Sequence, residues 1–152
     1  MTPFGFAPEE IDTAAPTRSA RLKWVVVVDA DLPPGLAVNA AVCLAAATGS
    51  RVTGLLGPDA VDAAGAVHPG LPWAGCTVLA ADTDQLAAVR AKAAGSDGVL
   101  VVDMPEHGQR TRVYDEYLAA VGRDTAPRYC AVGFIGPRNR VDRIVGRLPL
   151  LG

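Results

Sequence analysis

The residues of this chain that could do chemistry gather where apolar runs end. Asp29 and Asp31 follow Val25-Val26-Val27-Val28, and Asp103 follows Val99-Leu100-Val101-Val102. Two carboxylates brought into one crevice push one pKa up, so that one can act as acid and the other as base. Asp103 is therefore a candidate catalytic residue, and Asp29 and Asp31 are candidates to bind substrate. The alternative for all three is a capping role, in which a side-chain oxygen accepts from backbone N–H groups of a turn. Asn39 is the one polar side chain between Leu36 and Leu44. An amide there must find a partner, either a ligand carbonyl or the neighbouring turn. His68, beside Pro69-Gly70, is the second catalytic candidate, with a structural histidine as the alternative. Cys76 follows it by eight residues, which allows a Cys–His nucleophilic pair, although no neighbour is placed to lower the thiol pKa. Tyr114 and Tyr117, with Asp115 and Glu116, could rim a crevice. Arg138, Arg140, Arg143 and Arg147 form a basic cluster, with Arg138 the candidate for substrate binding. Arg143 and Arg147 would lie one turn apart on a continuous helix, where they could hold phosphate or pair with Asp142 and other acids.

Other chemistry finds little support. The two histidines and the scattered acids lack metal-ligand spacing, so no metal is expected. No G-x-G-x-x-G, phosphate loop or G-x-S-x-G motif occurs, so no nucleotide cofactor and no serine nucleophile is expected.

These residues have to be positioned by a chain of 152 residues, half of them apolar but only 5% aromatic. That length suits one domain whose core is filled by Ala and Val. A net charge of -2 argues against a domain that grips nucleic acid by bulk charge. Three well-separated cysteines, with no C-x-x-C, suit reduced thiols in the cytoplasm. No apolar stretch is long enough to span a bilayer, and no basic-then-apolar leader is read at the N-terminus.

The chain then divides into an extended or disordered arm over residues 1–20 and a single α/β domain over 21–152. Within the arm Phe4, Phe6 and Ile11 show no period; the alternative is an arm that packs Phe4 and Phe6 on a neighbouring subunit. The valine run predicts a strand buried on both faces. Pro33-Pro34-Gly35 predicts a turn, and Leu36 to Thr48 a helix stopped by Gly49. Strands are predicted over Arg51 to Leu56, Cys76 to Ala81, Val99 to Val102 and Arg128 to Ile135. Asp62 to Gly65 reads as a hairpin turn, with Ala66-Val67-His68 returning. Helices are predicted from Asp84 to Ala94, capped by Asp82 or Thr83, from Arg110 to Val121, and from Pro137 to Val145. Met104 to Gly108 reads as a loop, and Cys43 and Cys130 as core. Alternation of this kind gives a three-layer α/β sandwich with a mixed sheet of four or five strands.

Three stretches stand out: V-V-V-D-A-D-L-P-P-G-L-A-V-N-A-A at 26–41, G-P-D-A-V-D-A-A-G-A-V-H-P-G at 57–70, and G-F-I-G-P-R-N-R-V-D-R-I-V-G-R-L-P-L-L at 133–151. Together they resemble a bacterial domain family of unknown function related to peptidyl-tRNA hydrolase II. The resemblance covers residues 21–151. It implies the peptidyl-tRNA hydrolase II fold, a mixed sheet of four strands between helices, and a homodimer. It also implies that Asp103 matches a functional aspartate of those hydrolases. The match departs from their D-L-K-M-G-K-G-K turn, whose lysines are replaced here by Pro33, Leu36 and Val38, and a functional threonine is lost near Ala131.

Three functions follow. One is a hydrolase or acyl-transfer enzyme acting on a small amide, ester or aminoacyl substrate, with Asp103 as base or orienting acid and with Asn39 and His68 positioning the substrate. A second is a small-molecule-binding module that kept the strand-end crevice and lost the chemistry. A third is a tRNA-binding protein that uses the C-terminal arginines. The missing lysine and threonine favour the second, and the retained polar residues favour the first.

Overall fold

The computed structural model describes residues 3–152, so residues 1 and 2 of the expected arm lie outside the described residues. Five helices and a mixed four-stranded sheet form the α/β sandwich that the sequence predicts. The first strand, β1, runs over Leu22–Asp29. It alternates cleanly: Trp24, Val26 and Val28 enter one core, and Val25 and Val27 the other. A strand covered on both faces needs this unbroken apolar run. The remaining sheet strands are β4 (Thr77–Ala81), β5 (Leu100–Pro105) and β6 (Tyr129–Pro137), in the order β4-β1-β6-β5. β4 is parallel to β1, while β6 runs antiparallel to both β1 and β5. A separate hairpin joins β2 (Ala60–Val61) to β3 (Val67–His68) through the turn expected at Asp62 to Gly65.

Helix α1 (Pro34–Arg51) covers one face of the sheet and buries Ala37, Ala40, Leu44 and Thr48. It begins earlier than expected and runs through Gly49 rather than stopping there. It lies close to the sheet because β6 carries Gly133, where a Cβ would come within 2.8 Å of Leu44 Cδ1. Helices α2 (Thr83–Ala94) and α5 (Arg138–Val145) cover the other face through Leu86, Val89, Val141 and Ile144. Asp82 caps α2 by accepting from Gln85 N–H at 2.8 Å, and Gln85 Oε1 returns the bond to Asp82 N–H at 3.0 Å. Two short helices, α3 (His107–Arg110) and α4 (Tyr114–Gly122), follow β5 where a loop and a single longer helix were expected.

Other expectations need correction. Arg51 to Leu56 is not a strand: Arg51 ends α1, Thr53 and Leu56 make only single bridges, and Gly54 takes φ +68° between them. The strand expected over Val99 to Val102 starts at Leu100 and does not end at Asp103, because pairing with β6 continues to Pro105, with a register shift after Met104. Arg147 lies beyond α5, which ends before Gly146 at φ 55°. It is therefore not one helical turn from Arg143.

The described part of the arm, residues 3–20, packs on the domain. Phe4 O accepts from Thr53 N–H at 2.8 Å, and Phe6 N–H donates to Thr53 O at 2.9 Å. Phe6 is buried against Trp73, with ring centroids 4.8 Å apart and planes tilted by 59°. Arg21 holds the next turn by donating to Glu10 and to Gly5 O. Phe4 and Phe6 thus join the core of their own domain.

Candidate functional site

An open cleft of about 440 Å³ lies between α1 and the α3–α4 pair, beside β5 at the sheet edge. Its volume falls within the range of small-molecule sites. Cys43, Leu44 and Ala47 of α1 and Met104 of β5 give it an apolar wall, while Arg112, Tyr114 and Tyr117 stand on the opposite side. Tyr114 is 73% exposed, and its ring lies 5.4 Å from that of Tyr117, tilted by 54°. Burial raises the Tyr117 phenol above its ordinary pKa, and the neighbouring Tyr114 and Asp103 add to the shift. Gly108 sits where a Cβ would meet Met104 Cε at 2.9 Å, so this position keeps the passage from β5 to α3 tight.

Of the residues singled out from the sequence as site candidates, Asp103, Tyr114 and Tyr117 line this cleft. Asp103 is not a free base: its Oδ2 accepts from Arg90 Nε at 3.0 Å, and the Arg90 guanidinium lies 5.5 Å from the Tyr129 ring centroid. Asn39 is exposed on the outer side of α1 and accepts from Gln109 Nε2 at 3.2 Å. The same Gln109 nitrogen donates to Leu36 O at 2.8 Å, so Asn39 helps to tie α1 to α3 rather than to the Pro33-Pro34 turn. Asp29 accepts from Asp31 N–H at 2.9 Å, the capping alternative that the sequence allowed. Asp29 and Asp103 do not share the cleft, because β6 separates their strands.

His68 is on the β2–β3 hairpin, outside the cleft lining, with Nε2 3.1 Å from Asp62 Oδ2. That hydrogen bond, with others from Ala66 and Ala64 N–H, lowers the Asp62 pKa. No bond joins His68 to Cys76, whose thiol is raised by desolvation and is no activated nucleophile. Arg138 donates to the carbonyls of Ala20 and Thr17, at 3.2 and 3.3 Å. Cys43, expected in the core, is exposed at the cleft, whereas Cys130 is buried as expected. Among the described residues no three metal-ligating side chains gather. No helix among them is long and apolar enough to cross a membrane.

Residues 22–152 match the family model described as "Protein of unknown function (DUF2000)". The chain belongs to the DUF2000 family. A solved structure of a protein of unknown function, Atu0240 from Agrobacterium tumefaciens strain C58, aligns with a TM-score of 0.80 at 18% identity. The alignment covers 87% of this chain and 98% of that one, and at that identity it establishes a shared fold alone. Neither description names an activity or a peptidyl-tRNA hydrolase. No curated protein matches the chain.

Sequence reasoning missed most of the cleft of this DUF2000 domain. Cys43, Ala47, Met104, Gly108, Thr111, Arg112 and Val113 come from separate segments and share no motif. A partial signal existed in α1, whose outer positions Val38, Val42 and Cys43 are exposed without being charged. Also missed was the His107–Asp124 contact of 2.8 Å, which ties α3 to the segment before β6 and lowers the Asp124 pKa.

Proposed function

We propose that this DUF2000 domain is a small-molecule-binding module whose ligand lies in the cleft between α1 and α4. The observation that carries the reading is the cleft's composition: an apolar wall, two facing tyrosines, and Asp103 already engaged by Arg90. Arg112 lines the same space and makes no ion pair among the described residues. A flat, largely apolar molecule bearing a carboxylate meets this arrangement, with its rings on the tyrosines and its charge toward Arg112. Indole-3-acetate, 4-hydroxybenzoate and 1-naphthoate are suitable probes. At least one should bind in calorimetry and be retained in native mass spectrometry, and Ala47→Phe, which fills the cleft, should abolish both signals. Absence of binding by all three, or equal binding by Ala47→Phe, removes the reading.

A second reading keeps the chemistry. Asp103 does line the cleft, as a base for hydrolysis or acyl transfer on the peptidyl-tRNA hydrolase II pattern would need. Its ion pair with Arg90, and the distance of His68 in the fold, weigh against it. Turnover of an aminoacyl ester that is lost in Asp103→Asn, with the fold kept, would move the weight to this reading. A cytoplasmic location and a homodimer complete our proposal; the free cysteines suit the first. Sedimentation at micromolar concentration tests the second, and a monomer there excludes it.

A further inference from the structure

Helix α4 has the composition of a packed helix and the surroundings of a free one. None of its nine residues is buried, and no side chain caps its N-terminus. Its main neighbour is α3, which is only four residues long. Tyr117, Ala120 and Val121 share one side of α4 and are partly buried. Tyr114 and Leu118, four residues apart, form a stripe on the outside, and both are more than half exposed. Val113, just before the helix, is exposed as well. Ala119 and Gly122 beside the stripe carry too little side chain to hold a neighbouring helix away. A helix this short draws its stability from tertiary packing rather than from propensity, so its bare apolar stripe calls for a partner.

The charges on α4 decide which partner fits. Asp115 and Glu116 stand in its first turn, and Arg123 follows its last. None of the three side chains makes a hydrogen bond or ion pair among the described residues. A helix with acids at one end and a cation at the other is complementary to its own copy laid antiparallel. Leu118 is the middle residue of α4, so a two-fold axis there sets it against the same residue of the copy. Each Arg123 then reaches the acids of the opposite helix. Any other partner would need this pattern independently, whereas a second copy has it by symmetry.

We propose that α4 pairs antiparallel with α4 of a second copy of this chain. The pairing rests on the homodimer reading above and gives it a contact surface. Tyr114 belongs both to the stripe and to the cleft lining, so the second copy borders the outer rim of each cleft. The contact is short, which suits a micromolar dimer rather than a permanent one.

The test is sedimentation velocity of the full-length chain over a range of micromolar concentrations, where the parent should be a dimer. Leu118→Glu sets two carboxylates against each other at the axis and should raise the dissociation constant at least about tenfold. Its far-UV spectrum should stay that of the parent, since Leu118 is exposed in the single chain. Leu71→Glu, at an exposed leucine outside α4, is the control and should leave the dimer intact. Arg123→Glu chains and Asp115→Arg/Glu116→Arg chains should each dimerise weakly alone, and should form a heterodimer when mixed, resolved by native mass spectrometry. Should Leu118→Glu lose the parent's spectrum, the mixed pair decides. A monomeric parent overturns the homodimer and this surface together. A dimer that survives Leu118→Glu, that breaks in Leu71→Glu, or that shows no preference for the mixed pair overturns the α4 surface and leaves the homodimer standing.

Discussion

The two helical layers that enclose the sheet are built differently. On one side a single long helix, α1, carries no charged residue from Pro34 to Ser50. It has no side-chain cap, exposes Val38 and Val42, and is tied to α3 through amides. On the other side α2 is fixed by the reciprocal bonds of Asp82 and Gln85, and α5 carries Arg138, Arg140 and Arg143. α1 depends on alanine-rich helix propensity and close packing over Gly133, whereas α2 depends on its cap. The difference accounts for where the open cleft forms: an uncharged helix leaves an apolar wall at its edge. On the charged side, Lys92, Arg140 and Arg143 line a shallow groove instead.

The sharpest way to break this comparison is through the core. Leu44→Ala beneath α1 and Leu86→Ala beneath α2 should each cost about 4 kcal/mol, read from urea unfolding. One shared transition in both variants makes the layers a single cooperative unit, and two transitions would separate them. Next, Phe6→Ala should cost about 3 kcal/mol, because the arm belongs to the α1 side of the core. A loss below about 0.5 kcal/mol, the scale of an ordinary surface change, would mean that the arm is not part of the fold. Smaller again, Asp82→Ala should lower stability by about 1 kcal/mol and the thermal midpoint by about 2–4 °C. Pro33→Ala before α1 should change it less, since no side chain caps that helix.

The smallest effect is electrostatic. Bonds from Arg21 and from Ala7 N–H hold the Glu10 carboxyl at about 2, against an ordinary 4.5. The folded chain therefore binds this proton less readily than the unfolded one. Its contribution is complete above pH 4.5 and fades as pH falls toward 2. Glu10→Gln should flatten that segment of the curve of Tm against pH, with little change at pH 7 beyond loss of the ion pair. An unchanged acid limb would show that the arm's ion pair contributes nothing in solution.

Much of the fold was legible because its signals are local. The valine run of β1, the Asp82 cap, the Asp62 to Gly65 turn and Pro137 ahead of α5 each act within a few residues. What was misread depends on partners far along the chain. Phe6 has no period of its own, and its partner Trp73 lies in another loop. Asp103 looked like a strand end because it is charged, but Arg90 compensates it inside the strand. Val52 and Thr53 favour a strand locally, yet Gly54 turns the chain before one can form. The cleft was the least legible part, since walls of Ala, Leu and Met look like core until the packing leaves one side open.

The position of β1 at the centre of the sheet has a consequence during synthesis. Its antiparallel partner β6 leaves the ribosome about a hundred residues later, on the order of ten seconds at ordinary rates of translation. Through that interval Trp24-Val25-Val26-Val27-Val28 has no β6 to pair with, and a short apolar β-branched segment of this kind pairs readily with other chains. The moment of greatest aggregation risk for this protein is therefore before β6 exists, when a chaperone that shields β1 would do most to raise the yield of folded chains.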